Sequence, residues 1–139
     1  MRNLIRGVYL LFVKFFKIIY CMVYFNDGRI ALYNELTIGL RTLCKCRTTL
    51  PHPFGIVIGK GVVLGYDCRV YQGVTIGSKF KDGLSYPIIG NNVTIYANSV
   101  IVGNVKIGDN VIIGASTLVI KDIPANSVVI GNPARIIEK

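Results

Sequence analysis

The segment IGNNVTIYANSVIVGNVKIGDNVIIGASTLV (89–119) carries two interleaved rows of side chains. Ile89, Ile95, Ile101, Ile107, Ile113 and Val119 are each six residues apart, and Val93, Ser99, Val105, Val111 and Thr117 form the second row. A straight helix repeats its face at three and four residues, so this spacing excludes one. Residues two apart share one face of a strand. Each hexad therefore reads as a short strand with two inward side chains, followed by a corner. Corners need compact residues or a positive φ. Gly90-Asn91-Asn92, Gly108-Asp109-Asn110 and Gly114-Ala115-Ser116 supply them.

The rows extend upstream. Ile38, Cys44, Leu50, Ile56, Val62, Cys68 and Val74 form one, and Leu40, Cys46, His52, Ile58, Leu64, Val70 and Ile76 the other, with corners at Gly59-Lys60-Gly61 and Gly65-Tyr66-Asp67. Coils stacked in this way share a column of aliphatic side chains as their core. The period breaks at GSKFKDGLSYP (77–87), where Ile76 and Ile89 stand 13 residues apart, one more than two hexads. A projecting loop is expected there, with Lys79 and Lys81 available to an anionic group.

His52 is the single histidine, and the register gives it an inward slot that every other member of its row fills with an aliphatic residue or cysteine. Such a placement forfeits about 1.5–3 kcal/mol of apolar burial. An unpaired buried polar group costs about 1–3 kcal/mol more. A functional histidine compensates for such a cost, and a general base is the natural role for one.

The length of 139 residues fits one domain, with residues 1–35 read as an amphipathic helix and link and 36–139 as the repeat domain. The net charge is +9, and the first 50 residues hold 8 cations against 2 acids. Residues 4–25, LIRGVYLLFVKFFKIIYCMVYF, are long enough as a helix to cross a bilayer. Lys14 and Lys17 offset most of the apolar gain. With Arg2 and Arg6 they form one basic stripe on a helical projection. Three readings stay open for this helix: packing on its own domain or a partner subunit, lying in an anionic membrane surface, and spanning. No RNP-type or zinc-finger pattern supports nucleic acid. Cys21, Cys44, Cys46 and Cys68 are too sparse for a disulfide-built scaffold and read as reduced thiols, with no metal site.

IGDNVIIGAS (107–116) and IPANSVVIGNPARI (123–136), set in these rows, resemble hexapeptide-repeat acyltransferases. LPHPFGIVIG (50–59) and YQGVTIGS (71–78) are most similar to serine acetyltransferases and to the short acyltransferases of surface-polysaccharide clusters. The resemblance implies an all-β core, a left-handed parallel β-helix with three hexads per coil. It also implies homotrimers with active sites between neighbouring prisms, and acetyl-CoA as co-substrate without a metal.

The serine-type pattern places its catalytic histidine directly ahead of a G-I-V-aliphatic-G run, as His52 stands ahead of Gly55–Gly59. Both lines name His52 as the base. The family's orienting acid lies fifteen residues earlier, where this chain has Thr37; Glu35, two residues before that, is the substitute candidate. Galactoside-type members place a histidine near Ser78 and serine enzymes place one where Tyr86 stands, and this chain has neither. Gln72, Tyr71 and Tyr86 are assigned to the acceptor. Ala97 and Ala115, eighteen apart, are assigned to pantetheine, and Lys121, Arg135 and Lys79 to the phosphate end of CoA.

The leading expectation is an O-acetyltransferase acting on a sugar or polysaccharide precursor, cytoplasmic and at the inner membrane face. Its partners would be a small-molecule or glycan acceptor, two further copies of the chain, and a membrane surface touched through residues 1–25. The alternatives are serine O-acetyltransferase and a non-catalytic β-helix scaffold.

Overall fold

The computed structural model describes residues 34–38, 40–79 and 85–137. The expected helix within 1–25 and the side chain of Lys81 lie outside them. Among the described residues no helix is long and apolar enough to cross a membrane. Ala31–Lys139 form one compact unit.

Three sheets build the unit. Glu35–Leu36, Val57–Ile58, Thr75–Gly77, Val100–Val102 and Leu118–Val119 stack as sheet A. Arg69–Val70, Thr94–Ile95, Ile112–Ile113, Val128–Ile130 and Arg135–Ile137 form sheet B, and Val63–Leu64, Ile88–Ile89 and Lys106–Ile107 form sheet C. The chain visits A, C and B in turn, so a strand pairs with one a full coil away. Val57 pairs with Thr75 and Thr94 with Ile112, eighteen residues on. These pairings are parallel, and the last strand alone, Arg135–Ile137, runs antiparallel beside Val128–Ile130. The fold is a three-faced parallel β-helix.

The pleat decides what lies inside. Ile56 and Ile58, Val62 and Leu64, Cys68 and Val70, and Val74 and Ile76 are buried pairs, one per strand. The rows of residues 89–119 are buried throughout. Each fully buried aliphatic side chain contributes about 1.5–3 kcal/mol. Ser99 fills an inward slot with a hydroxyl, and its Oγ lies 2.8 Å from the carbonyl oxygens of both Tyr96 and Gly114. The corner leading from sheet C to sheet B repeats a left-handed residue: Asn92, Asn110 and Asn126 have φ of 53, 57 and 60°. Asparagine tolerates that region, and here the side chains bond to one another, Asn92 Nδ2 to Asn110 Oδ1 at 2.9 Å and Asn110 Nδ2 to Asn126 Oδ1 at 3.0 Å.

Three features depart from the hexad count. Residues Leu40–Lys45 form an α-helix where strands were expected. The stretch has no glycine corner, and Leu43 anchors it in the core. It closes with Arg47 N–H on Cys44 O and Thr48 N–H on Leu43 O, the paired bonds of a Schellman end with Arg47 at φ 54°. Arg47 also grips Asp67 through two nitrogens, at 2.7 and 2.5 Å.

The second departure moves His52. Thr49 bridges to Arg69 and Val57 pairs with Thr75, so eight steps of chain join sheets B and A in the lower coil where six suffice above. Two extra residues sit in that corner. The inward pair is therefore Thr48 and Leu50, both buried, and His52 is exposed in the bulge. The expected cost of burying it does not arise. Third, Thr75 and Ile88 are thirteen apart where Val57 and Val63 are six, so the break at 77–87 inserts seven residues at one corner between sheets A and C.

Among the described residues Cys46 and Cys68 are free thiols. Burial pushes the Cys68 thiol above its ordinary pKa.

Candidate functional site

The corner between sheets B and A holds most of the expected site. Pro51-His52-Pro53-Phe54-Gly55 form the bulge, and two prolines deprive it of backbone donors. Phe54 N–H donates to His52 O at 2.8 Å, Gly73 N–H donates to Phe54 O at 2.9 Å, and Gly55 turns at φ 64°. One coil up, the same corner carries Tyr71 and Gln72, and the next carries Tyr96 and Ala97. The rings form a column. His52 and Tyr71 are 5.9 Å apart and tilted by 50°, and Tyr71 stacks on Tyr96 at 5.1 Å. Both tyrosines point outward, as expected. Among the described residues Gln72 Oε1 is buried and has no hydrogen-bond partner.

Ala97 and Ala115 continue the column. Thr94 pairs with Ile112 three residues earlier, and Ser116 N–H donates to Ala97 O at 2.8 Å, so the alanines stack as the spacing of eighteen requires. The column ends at an open hollow that Gly131 and Arg135 help to line.

The other candidates lie elsewhere. Tyr86 packs on the corner between sheets A and C, where a Cβ on Gly59 or Gly61 would overlap its ring. Lys79 follows the strand Thr75–Gly77 on that corner and passes Gly103, 3.6 Å from the position a Cβ would take there. Lys121 follows Leu118–Val119 on the same corner and is exposed. The residues assigned to one site thus occupy two different corners of the prism.

Glu35 is exposed on sheet A opposite Val57, and among the described residues its carboxylate makes no hydrogen bond to His52. Thr37 Oγ1 donates to Ile58 O at 3.0 Å and is likewise occupied locally. The side chain that reaches the His52 bulge is that of Asn34. Its Nδ2 donates to Pro53 O at 2.9 Å and its Oδ1 accepts from Ile56 N–H at 2.8 Å. The hexad count missed Asn34. The signal was present: pairing Thr48 with Leu50 leaves five residues, 51–55, before the pair of Ile56 and Ile58, where three separate Val70 from Val74, and a longer corner holding two prolines needs outside support.

Residues 86–121 match the family described as bacterial transferase hexapeptide (six repeats). The serine acetyltransferase of Synechococcus elongatus is 42% identical over 89 residues, covering 63% of this chain and 36% of that protein. That of Staphylococcus aureus is 40% identical over 94 residues, covering 67% and 44%. The crystal structure of the Neisseria gonorrhoeae serine acetyltransferase in complex with serine superposes with a TM-score of 0.62 at 39% identity, over 66% of this chain and 37% of that one. The soybean serine acetyltransferase apoenzyme gives 0.63 at 36% identity, over 65% and 38%. The chain spans less than half the length of each of these relatives. They overturn the sugar- or polysaccharide-directed expectation in favour of its alternative, since the relatives are serine acetyltransferases. In its repeat and its stacked coils the chain is similar to the hexapeptide-repeat transferases, whose family model matches residues 86–121.

Proposed function

We propose that this chain is a serine O-acetyltransferase that uses acetyl-CoA and needs no metal. The observation that carries the reading is the exposed His52 on its bulged corner, within a domain 40–42% identical to serine acetyltransferases.

In this reading the His52 imidazole takes the proton of the serine hydroxyl as its oxygen attacks the thioester carbonyl carbon. The tetrahedral oxyanion collapses, the C–S bond breaks, and the departing sulfur takes the proton back from the imidazolium. O-Acetylserine and CoA leave. Gln72 supplies an acceptor to the acceptor's ammonium group: Oε1 is buried and unsatisfied, and an N–H donor on substrate removes that cost. The rings of Tyr71 and Tyr96 wall the same corner. The small side chains of Ala97 and Ala115 let a pantetheine arm run along the column toward Arg135.

A homotrimer, wound left-handed as in the family, unites the two corners. Tyr86, Lys79 and Lys121 of one copy would then face the His52 corner of the next, which explains why one prism splits the expected site. Tyr86 stands where serine enzymes have a second histidine, so in this reading His52 acts without one.

The test is free-thiol release from acetyl-CoA with serine as acceptor, set against homoserine, threonine and acceptor-free controls. Serine-dependent release supports the proposal. A protein that binds acetyl-CoA and releases no thiol with serine overturns the assignment of the acceptor.

A further inference from the structure

We infer that Asn34 is a positioning residue for His52. The inference rests on the reading of His52 as the base. Its structural part can be tested without that reading.

Among the described residues the His52 side chain makes no hydrogen bond, and its ring meets the tilted ring of Tyr71. Its orientation is therefore set mostly by the backbone that carries it. That backbone is poorly supplied with bonds of its own. Pro51 and Pro53 have no N–H, and the corner is two residues longer than the corner above it. From the coil above, Gly73 N–H holds Phe54 O. From the coil below, the Asn34 amide holds both limbs of the bulge, Pro53 O at 2.9 Å and Ile56 N–H at 2.8 Å.

The amide cannot be turned over without losing both bonds. A carbonyl only accepts and a backbone N–H only donates, so the two partners fix which atom is Nδ2 and which is Oδ1. A carboxylate lacks the donor, an aliphatic side chain lacks both groups, and a hydroxyl has a single atom with which to reach two partners. Asn34 spans the gap that the two extra residues open, as a backbone segment would, and the strand Glu35–Leu36 anchors it by pairing with Val57–Ile58. The residue after it, Glu35, has the charge that sequence reasoning sought, but Asn34 has the contacts.

The experiment uses the full chain and the fact that His52 is its only histidine. The imidazole Cε1–H resonance needs no assignment. Wild type, Asn34→Ala and Asn34→Asp are compared by that resonance and by steady-state kinetics with acetyl-CoA and serine. Aspartate keeps the acceptor for Ile56 N–H and loses the donor to Pro53 O. The expected result is a resonance moved toward that of free histidine in Asn34→Ala and part-way in Asn34→Asp. We expect kcat to fall about ten- to a hundred-fold, the scale of a small misplacement of a catalytic group, with KM for acetyl-CoA little changed. A purely structural role would lower the yield of folded protein and leave kcat per folded chain intact. If Asn34→Ala does not fold, Asn34→Asp decides. An unchanged histidine resonance in the variant that folds overturns the inference. Full activity of His52→Ala would instead overturn the reading of the base, and the resonance would still report whether Asn34 orients the ring.

Discussion

The rings of His52 and Tyr71 lie 5.9 Å apart across two successive coils, tilted by 50°. Tyr71 in turn stacks on Tyr96 one coil further on. The candidate base is thus flanked by the end of an aromatic column built on one corner of the prism. Aromatic pairs of this kind are worth about 0.5–1.5 kcal/mol beyond their buried area. Tyr71→Ala should lower stability by about 1–2 kcal/mol and reduce kcat several-fold, while Tyr71→Phe keeps the stack and stays near wild type. Thermal unfolding and thiol-release rates on the same preparations check both. If the alanine variant kept the wild-type rate, Tyr71 would have no part in holding the imidazole.

Gly61 and Tyr86 form a second coupled pair. A Cβ at Gly61 would overlap the Tyr86 ring. Gly61→Ala should cost about 1–3 kcal/mol by overpacking. Adding Tyr86→Ala removes the clash, so the double variant should be more stable than the two single effects predict. Additive losses in denaturant unfolding would show that the ring does not rest on this glycine.

Core slots and outward slots of one strand should differ sharply. Ile89 is 2% exposed and Ile88, its neighbour, is 42% exposed. Ile89→Ala should cost about 2–5 kcal/mol through loss of burial and the cavity left behind. Ile88→Ala should cost well under that in an isolated prism. A large loss at Ile88 that depends on protein concentration would indicate that the outer face of sheet C lies in a contact between copies of the chain.

Cys68 sets an alkaline limit. Burial raises its pKa, so the folded state favours the neutral thiol. Below the unfolded value, about 8.5, both states are protonated and stability is unaffected by this group. Above it the unfolded chain gains by ionising first, and stability falls as pH rises toward the folded value. The difference in unfolding free energy between wild type and Cys68→Ala should therefore change in favour of the variant above pH about 8.5. A difference that stays flat from neutral to alkaline pH would contradict the burial of the thiol.

Residues 89–119 could be read almost without error because nothing interrupts them: every inward slot falls at the position that a period of six assigns. The count failed at Leu40–Lys45, where a helix replaces a face of the prism, and at Pro51–Gly55, where two added residues shift the register. A period of six cannot tell an inward pair of Leu50 and His52 from an inward pair of Thr48 and Leu50. Pairing across coils settles it. His52 was given an inward slot by the count, and the structure places it exposed on the bulge instead. The split of the other candidates over two corners was invisible because the sequence says which side of a strand a residue takes, but not which corner of the prism it meets. Asn34 was missed because an amide that holds two backbone groups leaves no periodic trace.

The account rests most on His52 as the base for acetyl transfer to serine. The direct measurement is serine-dependent thiol release from acetyl-CoA by wild type and His52→Ala, with circular dichroism confirming that both are folded. Loss of a general base predicts a fall of about 10²–10⁴-fold with the coil intact. A folded His52→Ala protein that releases thiol at the wild-type rate would contradict the account, and the chemistry would then have to be sought at another corner.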